Sequence, residues 1–193
     1  MSHLDLLLFW VINRDLSNGV LDLLMPVVTD PTPFLVPLTL VGIALVVWGG
    51  WKGRLLVVLA LLLLLVSNTM SELLKLWIQR PRPCQALEGV RILVGCSGHS
   101  FSFPSSHATN ITAQALFFSY FYRRVALPLF LIAATVGYSR VYVGVHYPAD
   151  VGGGVLVGLI CAACFVYLAR KLQQHLPTRR PMTGDRRLFF DDP

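Results

Sequence analysis

Leu55 to Val66 reads LLVVLALLLLLV, an aliphatic run without a single polar side chain. Carried on to Leu76, it is long enough for a membrane-crossing helix, which needs about 20 residues. The second half of that span turns polar at Ser67, Asn68, Ser71, Glu72 and Lys75. Hydroxyl, amide and charged groups inside a span face protein rather than lipid. This end is therefore expected to face a bundle interior or a polar pocket. Composition agrees with a membrane reading. Of 193 residues, 55% are hydrophobic and 13% charged, and the mean hydropathy is +0.64. An ordinary soluble domain is excluded. The expectation is an all-α integral membrane protein, one compact domain over residues 1–175. The net charge of +6 does not point to nucleic acid, because the basic residues sit in small clusters between apolar runs, as a topology signal does.

Working back from that span, residues 33–49 form another, entered past Pro31 and Pro33 and closed by Gly49-Gly50. Before it lie two short apolar pieces, 1–12 and 20–28, separated by a polar break at Asn13 to Gly19. Neither is long enough to cross, so both are expected as interfacial helices. A single kinked crossing through 6–28 is the alternative, and would bury Arg14 and Asp15. No basic segment precedes residues 1–12 and no small-residue cleavage site follows, so they make a poor signal peptide.

Working forward, Gln79 to Phe103 is the longest stretch between spans. It opens QRPRP, where two prolines stop the helix. Its VRILV segment, Val90 to Val94, is either a flap on the lipid surface or the apolar core of the loop. Cys84 and Cys96 flank the same loop and form a disulfide or stay apart, depending on compartment and distance. Cys161 and Cys164 lie in an apolar run and read as core or lipid-facing residues. Further spans are expected from Pro104 to Tyr122, Val125 to Tyr138 and Val151 to Ala169, with Gly152–Gly154 permitting close helix approach. The total is about five spans plus the interfacial helices. Residues 176–193 read as a polar, disordered cytoplasmic tail. Lys52/Arg54, Arg123/Arg124 and Arg170/Lys171 fall on one side of such a bundle, which the positive-inside rule makes cytoplasmic. The loops carrying Lys75 to His107 and Arg140 to Asp150 are then outside.

Three polar stretches share that outer side: KLWIQRPRP (Lys75 to Pro83), PSSHA (Pro104 to Ala108) and SRVYVGVHYPAD (Ser139 to Asp150). Several cations, two histidines, a carboxylate and a helix start suit an anion, and phosphate best. Arg82 and Arg140 each offer a planar fork for two oxygens, and Lys75 a point charge. His146 and Asp150 are four apart, so on one helical turn they share a face, and the carboxylate orients the imidazole. That makes His146 the better nucleophile. His107, beside Ser105 and Ser106 at a helix start, is the better acid. No metal or other cofactor is expected, since the cations already neutralise a phosphoryl transition state.

These residues resemble the signature of the type 2 phosphatidic acid phosphatase (PAP2) superfamily. Lys75 is followed after six residues by Arg82-Pro83, then come Pro104-Ser105-Ser106-His107, then Ser139-Arg140, His146 and Asp150. Ser106 stands where the commonest form has Gly. The resemblance implies a PAP2-like helical bundle that is a metal-independent lipid phosphatase. It implies that His146 forms a phosphohistidine held by Asp150 and that His107 protonates the leaving group. Lys75, Arg82, Ser105, Ser106 and Arg140 would bind phosphate, and Arg80, outside the pattern, either meets a second phosphate or anchors to headgroups. The site's outer placement is similar to that of bacterial undecaprenyl-diphosphate phosphatases of the inner membrane. Phosphatidylglycerophosphate, phosphatidic acid and the lipid A 1-phosphate are the competing substrates. A non-enzymatic lipid binder or transporter is the reading from a different class. The expected partner is a membrane phospholipid or isoprenyl phosphate, with neither nucleic acid nor an obligate protein partner.

Overall fold

The computed structural model describes residues 2–96 and 100–175. The tail expected at 176–193 lies outside the described residues. Among those described, the regular structure is helical: α1 (His3–Trp10) running into a π-helical turn (Val11–Asp15), then α2 (Gly19–Thr29), α3 (Thr32–Trp48), α4 (Gly50–Ile78), α5 (Pro83–Ala86), α6 (Ser106–Phe121), a 3-10 turn (Arg123–Val125), α7 (Ala126–Tyr142) and α8 (Pro148–His175).

The aliphatic run at 55–66 lies in α4, which begins directly after α3 at Gly49-Gly50. Three stretches are long and apolar enough to cross a membrane: Gly50–Ala86, Arg123–Tyr142 and Pro148–Gln174. A fourth arises if α2 and α3, bent by 48° at Asp30-Pro31, form one broken span. This is a multi-pass membrane protein. The segment at 20–28 is α2, which packs on α7 and meets α3 at the 48° bend. The segment at 104–122 is α6, only 16 residues long. At 1.5 Å per residue that helix falls short of a hydrocarbon core about 30 Å thick. Its packing accounts for the shortness. α4, α7 and α8 all lie against α6, so protein rather than lipid sets its length.

The most extensive contact in the bundle is α6 on α8. A Cβ on Gly154 would come 2.6 Å from the Ser105 carbonyl oxygen, and one on Gly158 would come 2.5 Å from that of Thr109. Only glycine admits that approach. Gly153 faces the Phe103 ring, whereas Gly152 has nothing against it, so two of the three consecutive glycines are used for close packing. Farther along, Leu56, Leu59, Leu63, Phe117, Ala162 and Ala169 close a buried core between α4, α6 and α8. The polar half of α4 faces inward in part: Ser67, Ser71 and Lys75 are buried, whereas Asn68 and Glu72 are exposed.

The loop between α5 and α6 is pinned rather than floating. Cys84 and Cys96 are disulfide-bonded, with their Cα atoms 6.5 Å apart. Leu93 and Val94 pack on Met25, Tyr142, Val143 and Val145, and Val90 joins the cluster of Phe9, Val141 and Tyr147. The Leu93 N–H donates to the Val143 carbonyl at 3.3 Å. Of the two readings of VRILV, the structure takes the loop core. Cys161 is partly buried and Cys164 exposed, and both are free thiols.

Candidate active site

The polar ends of α4, α6, α7 and α8 converge at one end of the bundle. Lys75 lies on the last turn of α4 and Arg140 on the last turn of α7. His107 lies on the first turn of α6, where the Ser105 hydroxyl caps the helix by accepting from the Ala108 N–H. The Ser106 and His107 amides have no intrahelical partner at that position, which is the geometry that favours an anion. His146 is in the short turn before α8 and Asp150 in its first turn. The two are four residues apart but do not share a helical turn, since α8 starts at Pro148.

Cross-links join the three stretches. The Lys75 ammonium donates to Ser106 Oγ at 2.5 Å, tying the first stretch to the second. The Ser105 N–H donates to the Asp150 carbonyl at 3.0 Å, tying the second to the third. Arg82 Nη1 reaches the Val145 carbonyl at 3.4 Å, while its Nε and Nη2 donate to the Ser100 carbonyl and hydroxyl at 2.9 and 3.0 Å. Every signature residue named from the sequence is therefore at this end. Lys75, Arg82, Ser105, Arg140, His146 and Asp150 are buried, and Ser106 and His107 are partly open.

Charge is distributed unevenly among the cations. Lys75 is paired with Glu72 at 2.7 Å, and Ser106 Oγ also donates to that carboxylate at 3.0 Å. Arg82 and Arg140 have no ion pair among the described residues. Arg140 donates from Nη1 to the Thr29 hydroxyl at 2.6 Å, and its Nε is buried without a partner. A buried cation held only by neutral oxygens is costly. Two of them side by side make an electrostatic socket for an anion.

His146 Nδ1 is 3.5 Å from Asp150 Oδ2, too long for a strong hydrogen bond, and it has no closer partner. Burial holds the His146 ring neutral, with its pKa pushed down to about 4; Arg140 and Arg82 push the same way, and Asp150 only partly offsets them. Asp150 is itself oriented by two donors. Its Oδ2 accepts from the Tyr147 N–H at 2.8 Å, and its Oδ1 from Arg80 Nη1 at 2.6 Å.

That last contact changes the reading of Arg80. Its other arm, Nη2, donates to Asp5 Oδ2 at 2.5 Å, and its guanidinium lies 4.0 Å over the Tyr147 ring. Both arms thus hold carboxylates, so Arg80 is engaged neither as a free second-phosphate contact nor as a headgroup anchor. Asp5, Thr29 and Ser100 are the site-end residues that the sequence reading missed. Only Asp5 left a signal, as a lone carboxylate interrupting an apolar helix.

The PAP2 superfamily matches residues 54–174 of the chain. The chain belongs to the PAP2 superfamily. Among its PAP2 relatives, a lipid A 4'-phosphatase of Bacteroides thetaiotaomicron is 32% identical over 142 residues, 69% of this chain and 63% of that protein, so less than two thirds of that relative is matched. A putative undecaprenyl-diphosphatase, YbjG of Escherichia coli, is 31% identical over 183 residues, covering 91% of this chain and 90% of that one. The crystal structure of the transmembrane PAP2-type phosphatidylglycerolphosphate phosphatase of Bacillus subtilis superposes with a TM-score of 0.69 at 27% identity, covering 93% of this chain and 90% of that one.

Proposed function

We propose that this PAP2 lipid phosphate phosphatase removes the terminal phosphate of undecaprenyl diphosphate through a phosphohistidine on His146, at the periplasmic or extracellular face of a bacterial inner membrane. The observation that carries the chemistry is the pair of buried guanidiniums, Arg82 and Arg140, without counter-carboxylates among the described residues, beside a buried neutral imidazole.

Arg82, Arg140 and Lys75 hold the non-bridging oxygens of the terminal phosphate, with the α6 amide end and the Ser105 and Ser106 hydroxyls completing the cradle. Lys75 and Ser106 both donate to one oxygen of the Glu72 carboxylate, which supports their reading as donors to an anionic oxygen. Nδ1 of His146 faces Asp150, so Nε2 is the attacking nitrogen. It forms the N–P bond as the bond from phosphorus to the bridging oxygen breaks. Burial, with Arg140, Lys75 and Arg82 nearby, holds the His107 pKa down at about 4 in the unliganded site; the bound phosphate anion offsets those cations, so His107 is protonated in the complex and gives the bridging oxygen its proton. Undecaprenyl phosphate leaves. His107, now neutral, takes a proton from water, the water oxygen attacks phosphorus, and inorganic phosphate departs from a regenerated His146.

Substrate choice rests on the Escherichia coli relative, which aligns over 91% of this chain and 90% of its own. Arg80 is not a spare cation for a second phosphate, since Asp5 and Asp150 hold its guanidinium. Phosphatidylglycerophosphate is the second reading, favoured by the Bacillus subtilis structure. The test compares kcat/KM of the purified protein on undecaprenyl diphosphate, phosphatidylglycerophosphate, phosphatidic acid and lipid A in chelator. The diphosphate is expected to be best. A higher value on phosphatidylglycerophosphate would replace the first reading with the second.

A further inference from the structure

The carboxylate of Asp5 is only 5% exposed although α1 is otherwise mostly apolar. Burying an ionised group costs several kcal/mol unless its partners compensate. Its partners all belong to the site end. Oδ2 accepts from Arg80 Nη2 at 2.5 Å, and Oδ1 accepts from the Ala149 N–H, in the first turn of α8, at 2.8 Å. Arg80 in turn holds Asp150 Oδ1 at 2.6 Å. Two aromatic contacts fix this arrangement: Arg80 lies over Tyr147, and Tyr147 packs on Phe9 of α1 with ring centroids 5.5 Å apart.

We infer that Asp5 is a positioning residue that acts through Arg80 on Asp150 and sets the negative charge Asp150 presents to His146. The inference rests on the reading of His146 as nucleophile. Its physical basis is charge sharing. An arginine paired with Asp150 alone would neutralise it, leaving little field to stabilise the positive charge that develops on His146 as Nε2 attacks. With Asp5 on the other arm, one guanidinium serves two carboxylates. The cluster keeps a surplus negative charge, and Asp150 Oδ2 is the carboxylate oxygen nearest the imidazole at 3.5 Å. The planar fork of Arg80 also fixes the angle of Asp150, which a lysine would not. Around His146 the other charged or titratable groups are Arg82 after α4, His107 of α6 and Arg140 of α7. Of the groups facing it, Asp150 is the anion.

The alternative is that Asp5 only fastens α1 to the bundle. Asp5→Asn separates the two, because it removes the charge but keeps an oxygen for the Ala149 N–H. In the full-length protein reconstituted with lipid, kcat is expected to fall about tenfold or more while KM moves less than about twofold. Asp5→Glu, which keeps the charge, should recover kcat to within about threefold. In an Asp150→Asn background, Asp5→Asn should add less than about twofold, because the path through Asp150 is already gone. An activity-independent readout is the NMR titration of His146 in the unliganded protein, whose midpoint should fall in Asp5→Asn. If Asp5→Asn does not fold, Asp5→Ser replaces it in each comparison. The inference is overturned by unchanged kcat, by an equal loss in both backgrounds, or by an unmoved His146 midpoint. If the wild type hydrolyses no lipid phosphate, the functional reading fails instead. The titration then decides alone: a lowered midpoint supports the role of Asp5, and an unchanged one ends it.

Discussion

His146 is 1% exposed, and the charges that bear on it are Arg140, Arg82 and Asp150. Burial wins, so the ring is a free base at neutral pH, as an attacking nitrogen must be. The same shift makes a stability prediction. The folded pKa of about 4 lies below the ordinary value of 6.5. Between those values the unfolded chain binds a proton that the folded protein does not. The contribution is complete above about pH 6.5 and is lost as pH falls toward about 4. Thermal melting in detergent should therefore show Tm falling across that window in the wild type and falling less in His146→Gln; equal slopes would place the acid sensitivity elsewhere. His107 is partly open, on the first turn of α6. His107→Ala is expected to lose about 100-fold or more on an alkyl leaving group and much less on a nitrophenol, which needs no proton. Equal losses in steady-state kcat/KM would remove the acid role.

At the scale of elements, the α6–α8 seam and the disulfide-closed loop position the site. Gly158→Leu would force α8 away from the Thr109 carbonyl and is expected to cost about 1–3 kcal/mol. The same change at Gly152, which has nothing within 4 Å, should cost little. Comparable losses of Tm at both positions would refute the seam. The seam and the signature were legible in the sequence, because a glycine run and fixed spacings between charged residues leave local marks. The role of Arg80 was not legible. Its partner Asp5 is 75 residues away in sequence, and only folding brings α1 beside α8. Thr29, 111 residues from Arg140, was hidden for the same reason.

The molecule as a whole is polarised. Lys52 of α4 and Arg170 of α8 line one cavity with Trp51, Gln173 and Gln174, at the end opposite Lys75 and Asp150. On the proposed orientation, by the positive-inside rule, that end is cytoplasmic and the site lies outside. In a Cys161→Ser/Cys164→Ser background, a cysteine introduced at Glu88 should react with an impermeant thiol reagent on intact cells, and one at Arg124 should not. The reverse labelling would turn the enzyme over and remove outer-leaflet lipids from its substrates. The central claim is covalent catalysis by His146 within this polarised bundle. Its most direct measurement is rapid quenching of the reconstituted protein with undecaprenyl diphosphate labelled in the terminal phosphate, followed by peptide mapping. The account predicts acid-labile, base-stable label on His146, absent in His146→Ala, which should retain the wild-type fold while losing turnover. Turnover in His146→Ala, or label on any other residue, would contradict it.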